Sequence, residues 1–197
     1  MADRYDSFAA LAAREIEGAH YRIRVAQRAS PLAIVAPHGG FIEPGTSEAA
    51  LAIAHECFSF YCFESLTLRA KGDGLHITST RFDEPQALQL VAASEVVIGV
   101  HGRKNGDDGA SVWVGGLHEA LRDSICAALL DSGFRAKPVG EGHPLAGRDP
   151  RNICNRGRCG AGVQLEIPRA LRISFSHDEA SRHAFADAVR GALRQGG

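Results

Sequence analysis

Two short runs, residues 32–36 and 95–100, constrain the fold of this chain more than any other feature. The first, Leu-Ala-Ile-Val-Ala, stops at Pro37 and is followed by His38-Gly39-Gly40; the second, Glu-Val-Val-Ile-Gly-Val, stops at His101-Gly102. Strands that read as continuous apolar runs are covered on both faces, the condition of a parallel sheet with helices on either side. Tyr21, Ile23 and Val25 alternate with Arg22 and Arg24, which predicts a half-buried strand over 21–26.

Helical spacing of apolar residues recurs over 47–58, where Thr46 or Ser47 can cap, over 84–93 with Pro85 in the first turn, and over 117–130, closed by Gly133. An amphipathic helix is expected over 178–194. Further strands are expected at 60–68, 75–78, 135–138 and 163–167. Residues 139–160 are rich in Gly, Pro, Asn and Arg without helical or strand period; a loop of that length in a compact domain is usually functional or disordered. Strands alternating with helices predict one α/β domain over residues 1–197: a three-layer sandwich with a mixed, mainly parallel sheet between helices. No internal repeat or linker marks a second domain.

Charge narrows the function. Lys plus Arg (22) against Asp plus Glu (23) leaves −1, which disfavours holding nucleic acid through a general basic surface. The opening residues carry Asp3, Arg4 and Asp6 without a long apolar run, so no secretory signal is expected, and no stretch approaches the ~18 apolar residues of a membrane span. Five cysteines, Cys57, Cys62, Cys126, Cys154 and Cys159, are an odd number in a chain long enough to fold without staples. Free thiols and a cytoplasmic location are the expectation.

In open α/β sheets, ligands gather beyond the carboxyl ends of strands. There this chain places His38 and Glu43 after one buried run and His101 after the other, with Glu166 in the strand expected at 163–167. Two imidazoles and a carboxylate make a three-ligand zinc set with an open position, and a further carboxylate could take a proton from water there. Each residue also has an ordinary reading: a turn histidine, a loop acid near a helix start, a strand-end imidazole. The other histidines, His76 among them, read as packed or solvated, and His143 as a substrate contact from the long loop. The spacings Cys57-x4-Cys62 and Cys154-x4-Cys159 lack the pattern of a structural zinc site, and a cysteine nucleophile remains open. No phosphate-binding or dinucleotide glycine motif is present.

Five blocks in order then carry a resemblance: His38-Gly-Gly-Phe-Ile-Glu43-Pro-Gly-Thr46; Ser79-Thr-Arg81-Phe-Asp83-Glu84-Pro85; Val100-His101-Gly102; Asn152-Ile-Cys-Asn155-Arg156-Gly157; and Gln164-Leu-Glu166-Ile-Pro-Arg-Ala-Leu-Arg172. The series resembles the poly-γ-glutamate hydrolase family, which includes phage-encoded depolymerases and relatives labelled phage-related replication proteins. The resemblance implies a carboxypeptidase A-like fold, one zinc ion and hydrolysis of γ-linked glutamyl amide bonds. It also implies His38, Glu43 and His101 as zinc ligands and Glu166 as general base. Four residues separate His38 from Glu43, where the carboxypeptidase motif has two; a turn through Gly39-Gly40 can still bring both side chains to one point.

Arginine forks suit carboxylates, and residues 148–172 hold six arginines against Asp149 and Glu166. The expected substrate contacts are Asn155 and Arg156, with Arg81 and Arg103 beside other blocks, and the expected site is one positive cleft in a near-neutral monomer. Its partner would be a polyanionic γ-glutamyl chain or a small carboxylate-bearing amide, with no nucleic acid and no membrane. Release by lysis would apply to a phage-encoded enzyme. Two further readings are a zinc amidohydrolase of the same fold acting on an N-acyl amino acid or peptidoglycan fragment, and a non-enzymatic phage-related interaction protein.

Overall fold

A computed structural model describes residues 3–67 and 74–195. A short helix α1 (Phe8–Ala12) precedes the edge strand β1 (Tyr21–Ala26) and the long central strand β2 (Leu32–Gly40). There follow α2 (Thr46–Ala54), β3 (Ser59–Ser65), α3 (Pro85–Ala93), β4 (Val96–Arg103) and β5 (Val112–Gly116). The chain continues through α4 (Glu119–Asp131), β6 (Ala136–Pro138), a 3-10 turn at Ile153–Arg156, β7 (Val163–Pro168), α5 (Arg169–His177) and α6 (Glu179–Gln195).

The seven strands form one sheet in the order β1-β3-β2-β4-β7-β5-β6. The inner four, β3, β2, β4 and β7, run parallel, while β1 is antiparallel to β3 and β5 to β7. Helices cover both faces, so the sheet is the middle layer of an α/β sandwich, as the alternation predicts. Burial follows the pleat. Leu32, Ile34 and Ala36 of β2 join α2, α4 and α6 in one core, while Ala33 and Val35 join Leu11, Phe82, Leu90 and Ile153 in the other. A strand buried on both sides has no polar face to display, which is why 32–36 reads as an unbroken apolar run. None of the described helices is long and apolar enough to cross a membrane.

Several elements differ from the sequence expectation. β2 and β4 continue past their apolar runs, so His38 and His101 lie within strands rather than after them. Residues 75–78 are not a strand: Leu75 and Ile77 are buried in alternation, but Ile77 O faces the His38 ring and Thr78 N donates to the Asp3 carboxylate instead of to a ladder. α2 stops at Ala54 because His55 takes a positive φ of 47°, and its N-cap is Gly45 rather than Thr46 or Ser47. The Ser47 hydroxyl instead accepts from Gly40 N at 2.9 Å. Of the strand expected at 60–68, Leu68 lies outside the described residues. Unforeseen were β5, whose Gly115 and Gly116 pair with β7, and α5, which starts directly after Pro168.

Candidate metal centre and cavity

The first part of the site is built where β2 breaks register with β3 between Ala36 and Gly39. Gly40 adopts φ +62°, a conformation open to glycine, and a Cβ on Gly39 would collide with the Ser47 hydroxyl and the Cys62 sulfur. The chain turns tightly enough for Glu43 N to donate to His38 O at 3.1 Å. That turn brings the two side chains together across the four intervening residues: Glu43 Oε1 lies 3.3 Å from His38 Nδ1. β4 supplies the third group, with His101 Nδ1 3.1 Å from His38 Nδ1 and 3.9 Å from Glu43 Oε2. Gly102 N donates to Glu43 Oε2 at 2.7 Å and holds the carboxylate in place.

This donor set fits a divalent zinc ion. His38 Nε2 lies 2.8 Å from Ile77 O, which can only accept, so Nε2 carries the hydrogen and Nδ1 of the neutral ring presents a bare lone pair. Ser79 Oγ lies 3.4 Å from His101 Nε2 and can play the same part for the second ring. Two imidazole lone pairs and a carboxylate then converge on one point, an arrangement that repels itself unless a proton or cation sits among them. Tetrahedral zinc with bonds of ~2.0–2.1 Å sets its ligand atoms ~3.3 Å apart, and the separations here are 3.1, 3.3 and 3.9 Å. Donor atoms of His38, Glu43 and His76 also lie within 4.8 Å of one another. The His38 and His76 rings, however, are stacked at 4.0 Å and 29°, which directs their lone pairs side by side, whereas His38 and His101 meet at 60°.

Electrostatics agree with a centre that wants positive charge. Burial by itself disfavours the charged form of His38, but the Glu43 carboxylate and the Ile77 carbonyl outweigh it and raise the pKa. His101 is pushed down to about 3 by burial and by His38. Glu43 is held below the usual carboxylate range despite its burial, by His38, His101 and the Gly102 N–H.

β7 pairs with β4 so that Glu166 stands opposite His101, and with β5 so that it stands opposite Trp113. Because side chains alternate, Val163, Leu165 and Ile167 enter the core under α4 and α6 while Gln164 and Glu166 face the cavity. Asn152 Nδ2 donates to Gln164 Oε1 at 2.8 Å, which orients the Gln164 amide so that its Nε2 donates to Glu166 Oε1 at 2.9 Å. Burial, reinforced by the Glu43 charge, raises the Glu166 pKa well above the ordinary range, against the opposing pull of Arg103, Gln164 and Arg172. A carboxyl whose pKa is raised beside such a donor set is better matched to accept and return a proton than an ordinary carboxylate.

These residues open onto a cavity of about 1380 Å³. Of the four expected substrate contacts only Arg103 lines it. Its two terminal nitrogens donate to the carbonyls of Lys104, Asn105, Asp108 and Ser111, its guanidinium lies 3.7 Å from the Trp113 ring centroid, and its Nε is buried without a hydrogen-bond partner among the described residues. Asn155 does not line the cavity. Its amide bridges Gly147 O, Asp149 O, Leu117 N and Gly162 N, so it ties the long loop to β5 and β7. Arg156 is exposed, donates to Phe82 O at 3.2 Å and stands outside the cavity; Arg81 does likewise, paired at 2.6 Å with both Asp3 and Asp6.

The positive cleft is therefore not made by the arginines of residues 148–172. Arg151 pairs with Asp149, Arg158 with Glu95 and Arg148 with Glu119, while Arg172 is buried on the carbonyls of Ile167, Pro44 and Arg103. Among the described residues the cavity lining has four cationic side chains, Arg4, Arg103, Lys104 and Arg148, against five acids, and a bound dication would supply the excess positive charge.

Among the cavity groups that escaped the sequence reading are Asp3, His76 and Trp113. His76 lies between the buried Leu75 and Ile77, and that alternation was the signal that it faces away from the core. His143, expected as a loop contact, lines the cavity and meets Trp113 edge to face at 4.7 Å. Burial pushes the thiols of Cys62 and Cys154 up to about 12, which removes both as nucleophiles at neutral pH.

Comparison with known proteins gives concordant results. The family model for poly-γ-glutamate hydrolase matches residues 5–189. The UPF0714 protein YndL of Bacillus subtilis strain 168 is 37% identical over 173 residues, covering 88% of this chain and 67% of YndL. Among solved structures, a bacteriophage poly-γ-glutamate hydrolase matches with a TM-score of 0.89 at 33% identity, covering 98% of each chain. A structure of YndL described as apo and zinc-free matches with a TM-score of 0.89 at 32% identity and the same coverage.

Proposed function

Because the chain belongs to the poly-γ-glutamate hydrolase family, we propose that it is a zinc-dependent hydrolase cleaving the γ-glutamyl amide bonds of poly-γ-glutamate or a closely related carboxylate-rich γ-linked amide. The observation that carries this reading is the convergence of His38, Glu43 and His101 with a raised, buried Glu166 in strand register beside His101.

His38, Glu43 and His101 would hold one zinc ion. When bound, that ion supplies Lewis acidity toward water and an amide carbonyl. Glu166 takes the proton from the attacking water and delivers it to the leaving amine, which an amide needs because an unprotonated amine anion is a very poor leaving group. Gln164 fixes the carboxyl by its N–H on Oε1, which leaves Oε2 for the proton in transit. Trp113, paired with Glu166 across β5 and β7, and His143 wall the cavity on the Glu166 side. Arg103 keeps a fixed positive charge on that side, its terminal nitrogens held by four backbone carbonyls.

Incubation of the zinc-loaded protein with poly-γ-glutamate is expected to release short γ-glutamyl oligomers. Glu166→Gln should lower the rate by two to four orders of magnitude, the usual worth of a general base, while one zinc per chain remains bound. A zinc-loaded protein that leaves the polymer intact but hydrolyses N-acyl amino acids would overturn the substrate assignment. Failure to bind zinc would overturn the mechanism.

A further inference from the structure

The mechanism above leaves one polar constellation of the cavity unused. His76 Nδ1 lies 2.6 Å from Asp3 Oδ1, and Asp3 Oδ2 accepts from Thr78 N at 2.8 Å and from Arg81 Nη2 at 2.6 Å. The Asp3 side chain is 1% exposed, and its pKa is lowered to about 2: the bonds from Thr78 and His76 outweigh the opposing effect of burial. An ionised carboxylate surrounded by donors can only accept, so the hydrogen of neutral His76 sits on Nδ1. Among the described residues Nε2 is then a bare acceptor without a hydrogen-bond partner, on a ring that stacks on His38 at 4.0 Å and lines the cavity. The metal trio does not use it, and Glu166 stands beside His101 in the pairing of β4 with β7.

The chemistry of the substrate says what such an acceptor meets. At neutral pH a γ-glutamyl chain carries carboxylates and carbonyls, which are acceptors, and a single kind of donor, the amide N–H. Resting on the hydrolase reading above, we propose that His76 is a substrate-binding residue whose Nε2 accepts a hydrogen bond from the amide N–H of a glutamyl unit flanking the scissile bond, with Asp3 as its positioning residue. The pair sets the register of the chain on the His38 side, complementing proton transfer on the Glu166 side. It also gives a role to the segment before α1, which reaches across to residues 76–81 through Asp3 and Asp6.

Binding without turnover provides the test. In a zinc-loaded Glu166→Gln background, affinity for a defined γ-glutamyl oligomer would be measured by calorimetry, with and without His76→Ala, His76→Gln or Asp3→Asn. His76→Ala should weaken binding about 3- to 10-fold, the worth of one neutral hydrogen bond. His76→Gln, which keeps an amide oxygen near the Nε2 position, should recover part of the loss. Asp3→Asn should weaken binding at least as much as His76→Ala, because an Asn amide N–H facing Nδ1 moves the ring hydrogen to Nε2 and sets donor against donor, as tautomer inversion does in other Asp–His pairs. In the active protein the same changes should raise KM more than they lower kcat, at unchanged zinc content.

Affinities within twofold of the parent would overturn the proposal, as would loss of zinc in His76→Ala, which would make the residue a metal ligand. A parent that binds no γ-glutamyl oligomer would instead bring down the hydrolase reading, and this proposal with it.

Discussion

The two faces of β7 differ in kind although the residues alternate one by one. Val163, Leu165 and Ile167 enter an unbroken apolar core with α4 and α6, while Gln164 and Glu166, from the positions between them, meet Asn152 and stand beside His101. The same pairing of β4 with β7 that seals the core aligns Glu166 with His101. A slip of one residue would exchange the faces and destroy both. Core and candidate site row are therefore one structural decision.

Neighbouring substitutions should separate these roles cleanly. Glu166→Gln carries the largest expected effect on turnover, two to four orders of magnitude, with little change in unfolding midpoint. Leu165→Ala, one residue away and fully buried, should cost about 2–5 kcal/mol in denaturant unfolding and leave kcat of the folded protein within a few-fold. If Leu165→Ala abolished turnover while folded, or Glu166→Gln unfolded the protein, the division of faces would be wrong.

A smaller effect sharpens the polar face itself. Gln164→Met removes the donor on Glu166 Oε1 at nearly constant volume. Hydrogen bonding to the ionised form lowers a carboxyl pKa, so loss of the bond raises it further. A general base works only when ionised. The acid limb of the pH–rate profile should therefore move to higher pH, and kcat at neutral pH should fall by about 10-fold, the scale of one charge-assisted hydrogen bond. An unshifted acid limb would show that Gln164 does not tune Glu166.

How far the chain could be read in advance follows the same division. The buried runs at 32–36 and 95–100 and the helices at 84–93 and 117–130 were legible because periodicity records burial directly. β5 was not, since it is a strand only because β7 supplies its antiparallel partner. Residues 75–78 show the converse, alternating burial without a ladder. In the site, His38, Glu43, His101 and Glu166 stand on strands or on a turn pinned to one, so their positions follow from the sheet. Asp3 and His76 meet across 73 residues through an irregular segment, and no local pattern announces such a contact. The loop arginines misled for a different reason: sequence displays their charge but hides the nearby acids and carbonyls that occupy it.

Arg103 and Arg156 put that last point to the smallest test. Both carry guanidinium groups suited to a carboxylate, and the sequence offers both as substrate contacts. Arg103, on β4, is buried in the cavity wall against Trp113, whereas Arg156, in the 3-10 turn of the long loop, is exposed and donates to Phe82 O outside the cavity. Truncation of an exposed arginine with one backbone contact removes a partly solvated hydrogen bond and some packing, a cost below about 1 kcal/mol. Arg156→Ala should accordingly leave kcat/KM for poly-γ-glutamate within twofold and lower the unfolding free energy only slightly. A KM raised tenfold or more in Arg156→Ala, at unchanged stability, would mean that the polymer extends past the cavity rim toward the 3-10 turn and that the substrate surface is wider than the strand-borne site.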